Sequence, residues 1–366
     1  MSKILLTNAF IQPITSAPFY GDILIENNKI IEMSPFIQLN KENVVEIDCK
    51  NYWLLPGFID THTHLGLYNE SISGWIGNDA NEQNHFLNPH HHVKDAINIF
   101  DSAFYDAYSN GITTVNVLPG SFQIIGGQCC AILTYGESLD DMIINEHTGL
   151  KIALGENPKQ KTEMSRMGIV ATLRELFDET TLAKTTFYNS SIKKVLDKKI
   201  PIRVHAHRRD DILTAIKFAN DFHIDLCLEH CTEGHLILEQ IPTNIPITLG
   251  PTMTRKSKYE LANKSWDIYP LLNKQNEISI TTDHPYVPIQ YLPICAAITT
   301  KYGLTDLEAL KAITINPAKN LKIDHLVGSI EKDKLANLVL WDGNPFNYKS
   351  NVLWTMINGK IIFQKI

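Results

Sequence analysis

The chain predicts an α/β protein: a (β/α)8 barrel of the TIM type carrying a small composite β-sandwich domain formed by both chain termini. Three observations lead there. Eight short apolar runs recur through the middle of the chain, several of them separated by helical stretches, which is how a parallel barrel with crossover helices is written in sequence. Five of these runs finish on histidine or carboxylate residues. The two ends share a different texture of short strands and tight turns, with no catalytic character.

The ends come first. Lys3 to Ala9, Gly21 to Glu26, Lys29 to Met33 and Val44 to Ile47 read as strands, with Asn27-Asn28 as a turn. Ala336 to Trp341, Val352 to Ile357 and Lys360 to Gln364 repeat the pattern, and Asn358-Gly359 is the clearest hairpin signal in the chain. Neither end alone has the strands and apolar residues for a core, so residues 1–55 and 326–366 are expected to build one domain around a barrel of residues 56–325.

The eight central runs are Leu54 to His62, Thr113 to Leu118, Cys130 to Tyr135, Leu150 to Leu154, Ile202 to His205, Leu226 to His230, Ile245 to Leu249 and Ile278 to Asp283. Helical signals lie at Asp101 to Asn110, Glu163 to Lys199, Asp210 to Phe222 and Thr305 to Asn316. The gaps flanking the third run are too short for a full helix, so the early units are expected to be irregular. An open doubly wound sheet is the alternative.

Catalytic groups of such a barrel sit where its strands end. The first run ends in His62 and His64, two positions apart and therefore on one side of a strand. The fourth ends in Glu156, the fifth in His205 and His207, the sixth in His230 and the eighth in Asp283-His284. A random scatter of 14 histidines and 40 acidic residues would rarely place ligands so. Imidazole and carboxylate suit Zn²⁺ and similar divalent ions. Four histidines, a glutamate and an aspartate exceed the needs of one tetrahedral ion and suit a pair bridged by a carboxylate, with Asp283 carrying a proton from an acidified water to a leaving nitrogen. One ion per chain is the other possibility.

These pieces together resemble the amidohydrolase superfamily, nearest in texture to amidohydrolases related to imidazolonepropionase. The resemblance rests on PGFIDTHTH at 56–64, NGITTVNVLPG at 110–120, IIGGQ at 124–128, ALGENPK at 153–159, VHAH at 204–207, LEHC at 228–231, TDHP at 282–285 and the tail from LTDLEALKAITINPAKNL to GSIEKDKLANLVLWDGNPF. It implies a barrel with a composite β-sandwich, His62 and His64 on one metal, His205 and His230 on the other, and Asp283 as ligand and base. Many binuclear members bridge their metals with a carboxylated lysine on the fourth strand, where Lys151 stands. Lys151 and Glu156 differ by five positions and face opposite ways in a regular strand, so the sequence favours Glu156 as the bridge. The family habit of a ligand followed by alanine points to His205, leaving His207 for substrate. Deaminases of the superfamily often carry an acid three residues after that histidine; Arg208 stands there, though Asp210 is three after His207.

Weaker candidates complete the site. Gln128, beside Gly126-Gly127, and His284 are expected at the substrate; Arg255, with Lys256 and Lys258, follows the seventh run, where a cation can hold a substrate carboxylate. His90-His91-His92 read as surface or lid residues, and His147, His223 and His325 as structural or exposed.

The expected enzyme is therefore a metal-dependent amidohydrolase opening an amide, cyclic amide or dipeptide-like C–N bond. A mononuclear aminohydrolase, deaminating a heterocycle or opening an imidazolone-type ring, is the alternative; a catalytically silent scaffold is opposed by the intact ligands. A net charge of −7 over 366 residues, with 44% hydrophobic content, gives no basic excess to collect nucleic acid or anionic lipid. The N-terminus lacks the pattern of a signal peptide and no run approaches a membrane span, so a cytoplasmic location, a small-molecule substrate and a possible homo-oligomer are expected. Six cysteines without C-x-x-C spacing read as reduced thiols.

Overall fold

The computed structural model describes residues 3–39, 43–72 and 74–365; Met1 and Ser2, at the head of the expected N-terminus, lie outside them. Both ends of the chain enter one eight-stranded sheet. Strands β1 (Lys3–Ile11), β2 (Phe19–Glu26), β3 (Lys29–Ser34), β4 (Val44–Asp48) and β5 (Trp53–Pro56) come from the N-terminal side. The order β16 (Lys360–Gln364), β15 (Val352–Ile357), β14 (Leu338–Trp341), β5, β1, β2, β3 joins them to the last three strands, and β4 also pairs with β1. The join is antiparallel, with Leu54 opposite Leu340. Leu6, Ile11, Ile23, Leu54, Leu338 and Met356 share its core, so each end supplies what the other lacks. The Asn358-Gly359 turn has both residues at positive φ, 50° and 74°, as a two-residue type I′ hairpin requires.

The second sheet is the barrel wall. It runs through β6 (Phe58–Thr63), β7 (Ile112–Val117), β8 (Ile125–Leu133), β9 (Ile143–Ala153), β10 (Ile202–Ala206), β11 (Leu226–His230), β12 (Ile247–Leu249) and β13 (Ile278–Ile280), in chain order. β14 (Leu338–Trp341), β15 (Val352–Ile357) and β16 (Lys360–Gln364) then return to the first sheet. The barrel is TIM-like and nearly closed, but it is mixed, which corrects the expectation of an all-parallel wall. β8 runs antiparallel to both β7 and β9. The short connections on either side of it leave no room for the dozen or more residues that a parallel crossover needs.

A second correction concerns the run Leu54 to His62, which serves two sheets. Pro56 ends β5, and the chain passes through Gly57 into β6. A Cβ at Gly57 would lie 2.0 Å from Thr113 Oγ1, so only glycine allows the close crossing from the terminal sheet into the barrel. The helical stretch Glu163 to Lys199 resolves into helices Arg166–Leu182 and Ser190–Leu196. Helices Ser102–Ser109 and Arg209–Asp221 stand where the sequence placed them, the first capped by Asp101.

The seam between β6 and β13 is closed by side chains. Asp60, fully buried, accepts from the Thr281 hydroxyl (2.5 Å), the Thr282 hydroxyl (2.6 Å) and the Thr282 amide (2.9 Å). His64 N donates to His284 O at 2.9 Å across the same gap. The seam therefore fixes the first and last strand ends, where His62, His64 and Asp283 stand.

Candidate active site

The strand ends of β6, β10, β11 and β13 bring His62, His64, His205, His207, His230 and Asp283 into one buried group. Ligand atoms of His205, His207 and His230 lie within 4.8 Å of one another, as do those of His62, His230 and Asp283. His230 belongs to both sets. Its backbone is left-handed (φ 71°), as is that of Asp283 (φ 52°). Such non-glycine conformations cost about 1–3 kcal/mol each and cluster at functional positions.

The hydrogen bonds around the rings decide what they offer. His64 Nδ1 donates to Leu118 O (2.7 Å) and His230 Nδ1 to Gly250 O (2.8 Å), since a carbonyl can only accept. His62 Nδ1 donates to the Glu229 carboxylate at 2.8 Å. In a neutral imidazole the other nitrogen then carries a lone pair, so Nε2 of all three rings is an electron-pair donor. Lys151 Nζ accordingly donates to His62 Nε2 at 3.1 Å. His205 Nε2 is buried without any partner, and Asp283 Oδ1 lies 3.5 Å from His62 Nε2 and 3.4 Å from His64 Nε2, beyond ordinary hydrogen-bond reach.

Electrostatics keep His62, His205, His207 and His230 unprotonated and Asp283 ionised. Burial pushes His62 down to about 3, helped by Lys151 and opposed by Glu229. Burial likewise holds His205 and His207 well below the usual imidazole range and lowers His230. Burial alone would raise the Asp283 carboxyl, but His230, His64 and His62 hold it at about 2. Beneath the group, Glu229 is ionised despite complete burial because His62 and Arg203 attend it; Arg203 donates to Glu229 at 2.7 Å and to Asn320 Oδ1 at 2.9 Å.

Three expected contacts lie elsewhere: Glu156, Gln128 and His284. Glu156 is not brought to the group. β9 ends at Ala153, Gly155 turns the chain at φ 97°, and the Glu156 carboxylate accepts from Glu260 N (3.0 Å) while Glu156 N donates to Glu260 Oε2 (2.9 Å). Lys151 stands in the site instead, buried to 1% exposure, because its long stem climbs from deeper in the barrel. Gln128 pairs with Leu150 inside the wall, its backbone N–H donating to His91 O, and does not line the cavity. His284 is buried behind His64, with Nδ1 accepting from Ile289 N at 3.2 Å. Arg255, expected at the substrate, lines the cavity. All six cysteines are free and buried.

Glu229 and Arg203 escaped the sequence reading. The signal was there: Arg203 sits opposite Cys227 and His205 opposite Glu229 in the β10–β11 ladder, so a strand whose alternate positions read Arg-x-His faces a charged neighbour.

Above the group lies a cavity of about 440 Å³, lined at its floor by His62, His64, Lys151, His205, His230 and Asp283. A divalent metal suits this donor set: neutral imidazoles with their Nε2 lone pairs exposed, an ionised carboxylate, and buried donor atoms left without partners. Buried imidazoles and a carboxylate at barrel strand ends beneath a small-molecule cavity are an arrangement that suits a metal-dependent hydrolase.

The Amidohydrolase family model matches residues 53–362, and the chain belongs to that family; it is a hydrolase. It is similar to the imidazolonepropionase of Picrophilus torridus, 25% identical over 92% of this chain and 91% of that protein. It is 23% identical, over 94% of its length, to amidohydrolase tasK of Hapsidospora irregularis, of which this chain spans 40%. Among solved structures, an amidohydrolase from Thermotoga maritima MSB8 superposes with a TM-score of 0.95 at 35% identity, covering 99% of this chain and all of that one.

Proposed function

We propose that the protein hydrolyses a C–N bond of a small amide, cyclic amide or dipeptide-like substrate at a centre of two divalent ions, zinc in our reading. The observation that carries this is the direction of the lone pairs: His62, His64 and His230 each give away Nδ1–H and turn Nε2 toward Asp283 and the cavity. His62 and His64 would hold one ion, His205 and His230 the other, with Asp283 as a further ligand. Lys151, its amine carboxylated by carbon dioxide, would be the ligand shared by the two ions in preference to Glu156, because that amine already reaches His62 Nε2.

Ions bound there would acidify a water and polarise the scissile carbonyl. The remaining work belongs to side chains. Asp283, ionised at working pH, takes the water's proton and hands it to the leaving nitrogen. Thr281 Oγ1 accepts from Asp283 N at 3.0 Å and donates to Asp60, which holds the aspartate in place. His207, with Nδ1 2.7 Å from Thr232 Oγ1, faces the cavity as a substrate contact. The substrate is a small molecule. We also read residues 1–55 and 326–366 as a β-sandwich domain beside the barrel, on the strength of their common core, and the protein as cytoplasmic.

One observation favours a second reading. His207 lies within ligand distance of His205 and His230, a three-imidazole set that suits a mononuclear aminohydrolase. Elemental analysis of protein purified without chelators separates the two. Two ions per chain, falling to one or none in Lys151→Met, is the expected result; one ion, unchanged in the variant, overturns the bridged centre and favours the mononuclear enzyme.

A further inference from the structure

We propose that the substrate carries a free carboxylate and that Arg255 receives it at the cavity mouth. This rests on the hydrolytic reading above and adds the substrate class to it.

The wall following β12 is cationic. Arg255, Lys258 and Lys264 line the cavity from that one segment, whereas the sole carboxylate among the described lining residues is Asp283, at the floor. This runs against the chain's net charge of −7, so the local excess is a property of the cavity. Two of the three cations are committed to the protein. Lys258 Nζ donates to Asn157 Oδ1 at 2.6 Å and lies 3.4 Å from Glu260 Oε1. Lys264 Nζ donates to Thr254 Oγ1 at 2.7 Å and to the Thr254 carbonyl, which pins the loop to itself. The Arg255 side chain has no hydrogen bond or ion pair with any described residue, and it is exposed where the cavity opens.

A guanidinium presents a planar fork matched to a carboxylate, so the free cation has a natural partner in an acid group. Leu261 and Ile268 line the same cavity and suit an apolar side chain beside that group. The volume, about 440 Å³, stands toward the small end of ligand pockets (about 300–1,000 Å³). It fits an N-acyl amino acid or dipeptide and excludes a polypeptide. The acid is thus expected at Arg255 and the scissile C–N bond at the histidines.

The test compares matched acids and neutral partners. For hydrolysis, metal-loaded protein is assayed on N-acetyl-glycine, N-acetyl-leucine and N-acetyl-methionine against their carboxamides. For binding, levulinate, the carbon isostere of N-acetyl-glycine with no C–N bond to cut, is titrated calorimetrically against methyl levulinate. The acids should be preferred by at least about 10-fold in kcat/KM and in affinity. In Arg255→Ala the preference should collapse toward one, through KM, and in Arg255→Lys it should return in part. Arg208→Ala, which removes a cation paired with Asp210 outside the cavity, should keep it. Equal handling of acid and neutral partner in the wild type, or a preference that survives Arg255→Ala, overturns the proposal. Metal-dependent hydrolysis of carboxamides as good as that of acids removes the carboxylate and leaves the hydrolytic reading standing. Levulinate held through Arg255 with no substrate cut removes the hydrolytic reading alone, and failure of both binding and hydrolysis removes both.

Discussion

His62, His64, His205, His207, His230 and Asp283 meet at the mouth of the barrel, whereas His92, Glu146 and His147 meet on its flank, beside β8 and β9. On the flank, and in two overlapping triads at the mouth, His205-His207-His230 and His62-His230-Asp283, ligand atoms lie within 4.8 Å of one another. Proximity does not separate them; the hydrogen bonds do. On the flank His92 Nδ1 accepts from Lys94 N at 3.2 Å and Nε2 donates to Glu146 O at 2.9 Å, so that ring has no lone pair left. The Glu146 carboxylate is paired with the Lys94 ammonium, and Lys194 Nζ donates to His147 Nε2 at 2.9 Å. At the mouth the same chemistry is turned round: carbonyls and a carboxylate accept the Nδ1 protons, and the Nε2 atoms turn toward Asp283 and the cavity, with Lys151 Nζ on that of His62. A metal site is therefore recognised by where its protons are held, which is the work of the groups behind the ligands.

The sharpest way to break the comparison is at the ligand that the two central sets share. His230→Asn should lower kcat by at least about 10³-fold and strip ions from the chain, read by elemental analysis alongside activity. A variant that keeps both its metal and its activity would dissolve the distinction.

Acid should act next, on protein freed of metal. Burial lowers His62 to about 3 and His284 to about 4 in the folded chain, against an ordinary 6.5 that the unfolded chain retains. Below pH 6.5 the unfolded state gains protons that the folded state refuses, so stability is lost as pH falls from 6.5 toward these values. The thermal midpoint should drop by about 5 °C or more between pH 7 and pH 5. A flat profile would mean that the rings at the mouth are not held neutral.

The smallest effect is expected on the flank. His92→Ala should leave ions per chain unchanged and alter kcat/KM by less than about 2-fold, since His92 is exhausted by backbone contacts. Loss of an ion in that variant would make the flank a metal site after all.

Much of this was legible along the chain. His62 and His64 were found because a strand repeats every two residues, and Asp283 because the last barrel run ends on it. Asn358-Gly359 revealed its hairpin because a type I′ turn accepts few residue pairs. Other features were hidden for definite reasons. Parity in an ideal strand sent Lys151 away from the site and Glu156 toward it, but a strand that ends at Ala153 and turns at Gly155 no longer keeps parity, and a lysine can reach past its own level. The end of the sixth run names His230, but no spacing announces the left-handed backbone there, and Glu229 beside it passed as an ordinary neighbour. The run from Leu54 to His62 read as one strand because apolar periodicity does not say which sheet a strand joins.

What the sequence determined by itself were the quantities carried by local pattern: eight barrel strands, a composite terminal sheet, and the residue types that gather at strand ends. These follow from short-range rules of burial and periodicity. What tertiary structure decided were the quantities set by partners distant in the chain: the reversal of β8 within the wall, the presence of Lys151 and not Glu156 in the cavity lining, the Asp60 seam, and which nitrogen of His62, His64 and His230 keeps its proton. Carbonyls of Leu118 and Gly250 and the carboxylate of Glu229 make that last choice, from 54, 20 and 167 residues away, and a hydrogen bond depends on position in space, not on order in sequence.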